Sequence, residues 1–439
     1  MTTLMHSTGA GVRTVAAELE PVLARLLGPG PEVELRFWDG SSYGEPHVGT
    51  VRFNRPEALR RIVWSPDELG LARAYVAQDI DIEGSMVDVL RAVQVAAGGD
   101  ATTLVRAAPE LLRAAQRAGA LGSRPKPPAE EVVPRGLRHS LQRDRAAVGH
   151  HYDVGNEFYE LVLGQSMTYS CARFSAPDST LEDAQSAKHE LISRKLGLDR
   201  PAGDSGIEGT GRRRLLDVGC GWGSMAIHAA SNHDVDVVGV TISKEQAAYA
   251  QRRVDEFGLT GRIEIRLQDY REVDDGPYDA ISSIGMAEHV GQRRMQLYFQ
   301  RLYGLLAPGG RLLNHAIASI GGSRLGRRSF VNRYVFPDGE LLDIADTVRS
   351  MEAAGFEVRD IENLREHYDR TLRCWIDNLE RNWDTAVGLV GEARSRVWLM
   401  YMSGSVNGFE DAGIQLYQTL GVRLHDDGRS EFPRTRDGW

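Results

Sequence analysis

The chain has 439 residues, of which 42% are hydrophobic and 26% are charged, and its formal net charge is −9 at pH 7. This composition is ordinary for a globular protein, the length indicates two or three domains, and the negative charge argues against general nucleic-acid binding. The sequence has no run of the ~18–20 apolar residues that a membrane span requires, and its N-terminal segment lacks the pattern of a secretory signal peptide. Cys171, Cys220 and Cys374 are too few and too scattered for a disulfide framework or a zinc site, which fits a reducing cytosol, and we assign no metal ligands.

The N-terminal segment, residues 1–118, predicts a small α+β domain. Amphipathic periodicity predicts helices over 12–27, 66–78, 85–97 and 103–118, with a break or kink at Pro109. Alternating apolar residues predict strands over 33–37 and 48–53. Residues 119–139 have no periodicity, so they predict a linker that is either flexible or an ordered loop on the surface.

The third segment, residues 140–424, alternates apolar strands with helices. Buried strands are predicted over 214–218, 235–240, 263–267, 278–283 and 311–316. This alternation predicts a doubly wound α/β domain with helices on both faces of the sheet. A glycine-rich loop over 199–213 precedes the first strand, and the polar tail, residues 425–439, predicts a frayed end.

Three glycines follow the first of these strands. Gly219, Gly221 and Gly223 stand at alternate positions, where glycine lets the backbone approach a ligand closely. A bare G-x-G-x-G is weak support for any one ligand, since dinucleotide folds share it. Asp217 stands two residues before the first glycine, and the string then resembles the first motif of class I S-adenosylmethionine (SAM) methyltransferases.

The ends of the next two strands supply further candidate contacts. Many nucleotide binders place a carboxylate after the second strand to hold ribose hydroxyls, whereas this chain has Thr241, Ile242 and Gln246. Asp269 follows the third strand, where a carboxylate can accept a hydrogen bond from the exocyclic amine of adenine. The alternative for Asp269 is a helix cap.

Longer motifs resemble the cyclopropane fatty acid synthases, over about residues 145–424 in unbroken order. These motifs lie at 151–156, 167–172, 238–246, 283–291, 368–372 and 414–418. The resemblance implies a class I SAM methyltransferase fold, with a Rossmann-like seven-stranded sheet. A helical lid built from residues 140–196 and 322–424 would enclose an apolar acyl tunnel. The N-terminal segment resembles the extra domain of the longer bacterial members, which act on phospholipids, and homodimerisation through it is a family expectation.

The resemblance also implies a reaction. A one-carbon unit passes from SAM to the cis double bond of an unsaturated phospholipid acyl chain, which leaves a carbocation. Proton loss then gives a cyclopropane or, after a hydride shift, a 10-methylene branch, which a flavin-dependent reductase partner would convert to 10-methyl. The alternatives are a C-methyltransferase acting on a carrier-protein-bound or small-molecule substrate, and a lipid-binding module with a vestigial SAM site.

By the same resemblance, a bound bicarbonate base would be held by Glu288, His315, Tyr368 and the backbone of Cys171 and Ile317. The implied SAM contacts are Tyr169, Ser170, Gly219, Gly221, Gly223, Thr241, Ile242, Gln246, Asp269, Tyr270 and Ile284. Candidates to face the cation with an aromatic ring are Tyr152, Tyr169, Phe174 and Tyr334, with core packing as the alternative for each. Two positions depart from the family pattern. Ser405 stands where members often carry a cysteine, which excludes a thiolate there, and Ala287 replaces a common phenylalanine.

Two stretches, residues 103–118 and 324–330, mix arginine with apolar residues. Such stretches suit anionic headgroups, at ~1 kcal/mol per basic residue near the surface. The alternative is a solvated arginine face over ordinary core. We therefore expect a cytoplasmic enzyme that is peripheral on the inner face of the cell membrane.

Overall fold

The structure is a computed structural model that describes residues 13–96, 103–133, 143, 154–199, 211–322, 326 and 328–435. Tyr152, most of the loop 199–213 and part of the stretch 324–330 lie outside these ranges. The chain divides between Glu131 and Val132 into two compact units. Across the described residues, none of the helices combines the length and the apolar character that a membrane crossing requires.

The first unit is built on a four-stranded sheet of order β2-β1-β3-β4. Its strands are β1 (Val33–Arg36), β2 (Ser42–Tyr43), β3 (Gly49–Phe53) and β4 (Ile80–Gly84), and its helices are Val15–Leu27, Pro56–Trp64, Glu68–Val76, Met86–Ala96 and Thr103–Arg117. Strands β2 and β4 and the helix at Pro56 were not predicted. The predicted break at Pro109 is wrong: the helix continues through it, with Ala107 and Leu111 buried in the core on either side.

Residues 119–131 form the ordered loop, one of the two alternatives that the sequence left open. The Trp64 indole donates to the Gly122 carbonyl at 3.1 Å, and Arg61 donates to the Lys126 carbonyl at 2.6 Å. Arg73 and Glu131 form a buried bidentate pair with both N–O distances at 2.7 Å. Charge-assisted pairs of this kind are strong, so they hold the loop against the first unit.

The second unit is built on a seven-stranded sheet of order β10-β11-β9-β8-β5-β6-β7, as expected for a class I methyltransferase. The strands are β5 (Arg213–Val218), β6 (Val235–Thr241), β7 (Ile263–Leu267), β8 (Tyr278–Ile284), β9 (Leu306–Ser319), β10 (Glu357–Asn363) and β11 (Ile414–Val422). Strand β11 runs antiparallel to β9 and β10, and the other pairs are parallel. The strand order reverses beside β5, and ligands of such sheets bind at the carboxyl ends there.

Both faces of this sheet are covered. The helices of the unit are Asn156–Leu163, Leu181–Leu196, Ser224–Asn232, Lys244–Glu256, Ala287–Val290, Met295–Leu305, Ile344–Ala353, Arg365–Arg381, Trp383–Val390 and Glu392–Glu410. Neighbouring β5 residues point to opposite faces, so Leu215 belongs to one core cluster and Leu216 to the other. This confirms the predicted doubly wound arrangement.

Two predicted boundaries are wrong. The lid was assigned to residues 140–196 and 322–424, but helix Leu181–Leu196 packs on the sheet, with Ile192 and Leu196 in its core, and β10 and β11 complete the sheet's edge. Strand β10 was missed because it is an edge strand in which four of seven residues are charged: Glu357, Arg359, Asp360 and Glu362. The tail is also ordered through residue 435, because the Phe432 ring lies under the guanidinium groups of Arg311 and Arg359, at 4.7 and 4.8 Å.

Candidate active site

A cavity opens at the carboxyl ends of β5, β6 and β8, where the sheet topology places a ligand. Its empty space, including the open mouth, is about 1230 Å³. Of the predicted SAM contacts, its walls contain Tyr169, Ser170, Gly219, Gly221, Thr241, Ile242, Gln246, Asp269, Tyr270 and Ile284. We call it the cofactor cavity. Ten of the eleven residues that the resemblance implied as SAM contacts therefore line one cavity.

The three glycines have different roles. All lie at positive φ, a conformation that other residues adopt only with strain. A Cβ at Gly221 would meet only the Gln246 amide nitrogen, at 4.0 Å, so this backbone faces open cavity. A Cβ at Gly219 would meet the Met286 sulfur at 2.5 Å, and one at Gly223 would meet the Ala250 Cβ at 3.2 Å. Gly223 is outside the cavity wall and allows close packing where helix Ser224–Asn232 begins.

The end of β6 is held by side-chain hydrogen bonds. The Thr241 hydroxyl donates to the Gln246 Oε1 at 3.0 Å and accepts from the Ser243 N–H at 3.2 Å. Because Oε1 is engaged, the amide nitrogen of Gln246 is the end nearer the Gly221 backbone. An amide donor therefore stands at the cavity wall where related sites carry a carboxylate acceptor.

Asp269 shows the capping geometry. Its Oδ1 accepts from the Arg271 backbone N–H at 3.0 Å and caps the short helix Tyr270–Glu272. Both carboxylate oxygens also accept from the Arg271 guanidinium, at 2.8 and 2.7 Å. The adenine contact stays a prediction, and an incoming amine would share the carboxylate with Arg271.

The five predicted catalytic residues come from distant segments, and strand pairing brings them together. Ile317 on β9 is the register partner of Leu416 on β11, whose carbonyl accepts from the Leu364 N–H at 2.9 Å. The Leu364 carbonyl in turn accepts from the Tyr368 N–H at 3.1 Å and from the Cys171 thiol at 3.6 Å. Cys171, Ile317 and Tyr368 therefore converge around one β9–β11 junction.

Glu288 joins this group through Ile317. Its Oε1 accepts from the Ile317 backbone N–H at 2.7 Å, and its Oε2 is buried without a hydrogen-bond partner among the described residues. Burial raises the pKa of Glu288 to about 7, against the opposing effect of the Ile317 N–H. Near neutral pH this carboxyl is therefore partly protonated and can donate a hydrogen bond.

His315 lies on β9 two residues before Ile317. The Gln418 amide nitrogen is 3.3 Å from its Nδ1, which places the proton of a neutral ring on Nε2. That Nε2 is buried without a partner in the described part of the chain. Burial holds the pKa of His315 well below its usual value, and the charge of Lys188 adds to this, so the ring is neutral.

We call Glu288, His315, Tyr368, Cys171 and Ile317 the catalytic cluster. None of these side chains belongs to the cavity wall, but their neighbours do: Ser170 precedes Cys171, and Ile284 is the β8 partner of His315. The catalytic cluster therefore lies immediately behind the wall. Its two buried, unpartnered polar atoms are costly unless something binds them.

An aromatic cluster adjoins the cavity, and the sequence identified one of its members. It contains Tyr159, Tyr169, Trp222, Trp375, Trp398 and Tyr401, with neighbouring ring centroids 4.6–6.0 Å apart. Tyr169 and Trp222 are the members of this cluster that line the cavity. The other described candidates, Phe174 and Tyr334, stack on His367 and Phe330 and are absent from the cavity wall.

Lys188 was also missed. Its ammonium lies 3.0 Å from the Ser170 hydroxyl at the cavity wall, and burial lowers its pKa to about 7. Asp217 shares this wall, and burial raises its pKa to about 6, opposed by the Ser282 hydroxyl that donates to it at 2.7 Å. On a helix with a regular polar pattern, a lysine is ordinarily solvated, so no sequence signal marked Lys188.

Residues 139–419 match the family model described as mycolic acid cyclopropane synthetase. The chain is 37% identical to a probable fatty acid methyltransferase of Pseudomonas putida, over 96% of this chain and 98% of that protein. It is 39% identical to a probable fatty acid methyltransferase of Mycobacterium tuberculosis, over 90% of this chain and 92% of that protein. With the cyclopropane-fatty-acyl-phospholipid synthase of Escherichia coli it shares 37% identity, over 63% of this chain and 68% of the other.

Solved structures give the same result. The cyclopropane synthase MmaA2 from Mycobacterium tuberculosis matches with a TM-score of 0.58 and 33% identity, over 63% of this chain and 98% of that one. The mycolic acid cyclopropane synthase CmaA1, complexed with SAH and CTAB, matches with a TM-score of 0.57 and 33% identity, also over 63% and 98%. A coclaurine N-methyltransferase at 20% identity shares the fold.

Proposed function

Because this chain belongs to the mycolic acid cyclopropane synthetase family and is a SAM-dependent methyltransferase, we propose that it modifies the cis double bond of an unsaturated phospholipid acyl chain. A one-carbon unit is added through a carbocation. The product is a cyclopropane or a 10-methylene chain, the precursor of a 10-methyl chain. The relatives named as fatty acid methyltransferases and cyclopropane synthases support this class of substrate.

The observation that carries the proposal is the pair of buried, unpartnered atoms, Glu288 Oε2 and His315 Nε2, behind the cofactor cavity. A methyltransferase acting on oxygen or nitrogen has a polar acceptor, whose proton can leave to a nearby base or to solvent. Both atoms of this pair are instead buried away from solvent. Such a setting suits a reaction in which the acceptor is an alkene and the last step removes a proton from carbon.

An alkene is a weak nucleophile, and its methylation produces a cation that water would capture. When bound, SAM supplies the electrophilic methyl group. The aromatic cluster excludes water, and its π faces stabilise a positive charge by up to about 2 kcal/mol per ring when desolvated. Tyr169 lies where the aromatic cluster meets the cavity, and its hydroxyl is 3.4 Å from that of Tyr401.

The residues of the catalytic cluster fit a bicarbonate ion, which would supply a base beside the cation. The partly protonated Glu288 carboxyl and the Nε2–H of His315 are donors for an oxyanion, and Tyr368 would add a third. The Ile317 N–H is bound to Glu288 in this structure, so its part in holding the ion would be indirect.

The substrate chain would reach the cavity from a bilayer, which requires a surface that touches lipid. Helix Thr103–Arg117 supports this role: Val105 and Leu112 are 53% and 45% exposed, while Ala107 and Leu111 are buried. Ion pairs of Arg117 with Glu18 and of Arg25 with Glu110 reduce the free positive charge there. Apolar contact would therefore contribute alongside headgroup attraction.

The proposal includes the finer expectations of the resemblance. The enzyme is cytoplasmic and peripheral on the inner face of the membrane. It forms a homodimer through the N-terminal domain. If it makes the 10-methylene product, a flavin-dependent reductase completes the 10-methyl chain.

The test is an incubation of the purified protein with SAM and vesicles of cis-monounsaturated phospholipid. The lipids are then examined by mass spectrometry and proton NMR, because cyclopropane and methylene products have equal mass. High-field cyclopropyl protons would identify a cyclopropane synthase, and vinylidene protons the methylene-forming branch. A mass gain of one methylene unit with neither signal would contradict both products.

The second candidate is a C-methyltransferase acting on a carrier-protein-bound or small-molecule substrate. Its support is the match to relatives named cyclopropane mycolic acid synthases, which span 60% of this chain. The same assay discriminates the two. Turnover of an acyl carrier substrate, with none on vesicles of any phospholipid, would overturn the phospholipid proposal and favour this one.

A further inference from the structure

One group of side chains outside the cofactor cavity has the composition of a metal site. Glu190, on helix Leu181–Leu196, faces His228 on helix Ser224–Asn232 and His233, which ends that helix. Within the ranges that the structure describes, this is the one group of three or more such residues with its ligand atoms within 4.8 Å of one another. None of the three belongs to the cavity wall.

The distances match a shared cation. His233 Nε2 is 3.0 Å and His228 Nε2 is 3.4 Å from the same oxygen, Glu190 Oε2. Zinc binds imidazole and carboxylate at about 2.0–2.2 Å, so two tetrahedral ligands lie about 3.3–3.5 Å apart. The two observed separations are close to this ligand–ligand distance, and small side-chain rotations would bring the three ligand atoms into tetrahedral positions.

The surroundings hold the group in place. The Arg194 guanidinium donates to the other Glu190 oxygen, Oε1, at 2.7 Å, which orients the carboxylate and leaves Oε2 directed at both rings. Ligand carboxylates with such outer partners are typical of metal sites. The side chains of His228 and His233 are 12% and 8% exposed and that of Glu190 is 30% exposed, so a fourth position can be filled by water.

We propose that Glu190, His228 and His233 bind a divalent transition-metal ion of the zinc type, with water as the fourth ligand. Two imidazoles and one carboxylate suit Zn²⁺ and its neighbours rather than Mg²⁺ or Ca²⁺, which prefer all-oxygen sites. The ion would tie helix Leu181–Leu196, which packs on the sheet, to helix Ser224–Asn232, which begins directly after the glycine loop. The ion would have no part in the methyl transfer, because the catalytic cluster lies elsewhere, and three protein ligands with one water leave its coordination open. The sequence alone predicts no metal ligands, so this site is a departure from that prediction.

The competing interpretation is a carboxylate that accepts hydrogen bonds from two histidines and binds no metal. The discriminating experiment uses full-length protein without a histidine tag, stripped with a chelator and dialysed. Titration with ZnCl₂ is followed by isothermal calorimetry, and titration with CoCl₂ by visible absorption. We expect one equivalent to bind, d–d bands of a four-coordinate site, and a rise in Tm on adding Zn²⁺, since a ligand that binds the folded state stabilises it.

Two variants test whether these residues bind the metal, and a third serves as the control. Glu190→Gln and His233→Ala should each weaken Zn²⁺ binding by about tenfold or more and remove the Tm rise. The matched control is His425→Ala, which removes a histidine that pairs with one carboxylate, Glu431, and should leave binding unchanged. Circular dichroism and SAH affinity confirm that each variant is folded, and Glu190→Gln, which preserves side-chain shape, covers the case in which His233→Ala is unstable.

Two results would overturn the proposal. The first is the absence of saturable Zn²⁺ and Co²⁺ binding by the wild-type protein. The second is binding that survives Glu190→Gln and His233→Ala at wild-type strength, because the metal would then reside on other side chains. Neither outcome depends on which lipid the enzyme modifies, so this test and that of the proposed function fail independently.

Discussion

The cofactor cavity and the catalytic cluster lie side by side but are built in opposite ways. Most of the cavity wall comes from short segments at the ends of β5, β6, β7 and β8, where side chains bind near neighbours, as Thr241 and Gln246 show. Asp217 Oδ2 in this wall is an exception, because it is buried without a partner among the described residues. The catalytic cluster is gathered from separate segments across the β9–β11 junction and leaves Glu288 Oε2 and His315 Nε2 without partners in the described structure. The cavity is therefore held largely by local hydrogen bonds, whereas the catalytic cluster depends on contacts between distant segments.

We therefore expect cofactor affinity and turnover to depend on different residues. A change in the cavity wall should alter cofactor binding, and a change in the catalytic cluster should alter turnover alone. Asp217 and Lys188 lie at the boundary, since both are part of the cavity wall and both have pKa values shifted by burial. The predictions that follow test the separation, beginning with the largest expected effect.

Glu288→Gln should reduce turnover by about 10²–10⁴-fold, the range for losing a positioned acid–base group. The glutamine keeps an oxygen to accept from the Ile317 N–H, so the fold should be preserved. Because Glu288 is not part of the cavity wall, SAH affinity should stay within about twofold. Turnover is measured by methyl transfer to unsaturated phospholipid vesicles, and affinity by calorimetry.

The matched control is Glu352→Gln, which makes the same change on an exposed face of helix Ile344–Ala353 and should leave turnover unaffected. Wild-type turnover in Glu288→Gln would show that this carboxyl is not part of the chemistry. A parallel loss of SAH affinity would show that the two regions are not separable.

Gly221→Ala should weaken SAH binding by about tenfold or more. The new methyl group would project into the cavity, where nothing but the Gln246 amide lies within reach. The control is Gly258→Ala, whose φ of +68° is close to the +56° of Gly221 and whose Cβ would meet nothing within 4 Å. Both variants carry the left-handed strain of about 1–2 kcal/mol, so both should lose Tm alike. Equal SAH affinities in the two variants would contradict the assignment of this wall to the cofactor.

The same contrast explains which parts of the site could be predicted from the sequence. Local patterns marked the glycines after β5 and the residues Thr241, Gln246 and Asp269 after β6 and β7, because these residues lie within a few positions of a strand end. Other predicted cavity residues were named by resemblance alone. The members of the catalytic cluster were named by resemblance, but no local pattern predicts that Ile317 pairs with Leu416 or that Glu288 binds the Ile317 N–H. Tertiary pairing decides those contacts.

The aromatic cluster and the missed strands likewise depend on tertiary structure, which local sequence patterns do not predict. Trp375 and Trp398 lie on amphipathic helices, where a buried aromatic residue ordinarily indicates core, and only the fold directs them toward Tyr169. Strand β10 carries charged residues on both sides, since Arg359 is exposed and Asp360 pairs with the buried Lys195 at 3.1 Å. Neither alternation nor hydropathy therefore predicted this strand. Glu190, His228 and His233 meet through helix packing, and their spacing in the sequence does not resemble a metal motif.

Gln246→Leu is expected to have a smaller effect within the cofactor cavity. It removes one donor at the wall, and one hydrogen bond is worth about 1 kcal/mol, so SAH affinity should fall by about fivefold with little change in maximal turnover. The control Gln251→Leu removes an amide on the same helix that binds Asp255 at 2.9 Å on the outer face. An unchanged SAH affinity in Gln246→Leu would indicate that the amide does not reach the cofactor.

The smallest effect concerns stability. Glu288 has a pKa of about 7 in the folded protein against an ordinary value of 4.5, so the folded state holds this proton more tightly than the unfolded chain does. As the pH rises from 4.5 to 7, the unfolded chain releases the proton first, and the wild-type protein loses stability that Glu288→Gln does not lose.

The Tm of the wild type relative to Glu288→Gln should therefore fall across this window and level off above pH 8. We expect a change of about 2–4 °C, which is the shift that about 1 kcal/mol produces in a domain of this size. Differential scanning fluorimetry measures it, with Glu352→Gln as the reference that should show no such trend. A flat difference for Glu288→Gln would mean that the carboxyl ionises freely in the folded protein, which would contradict the burial of this side chain in the catalytic cluster.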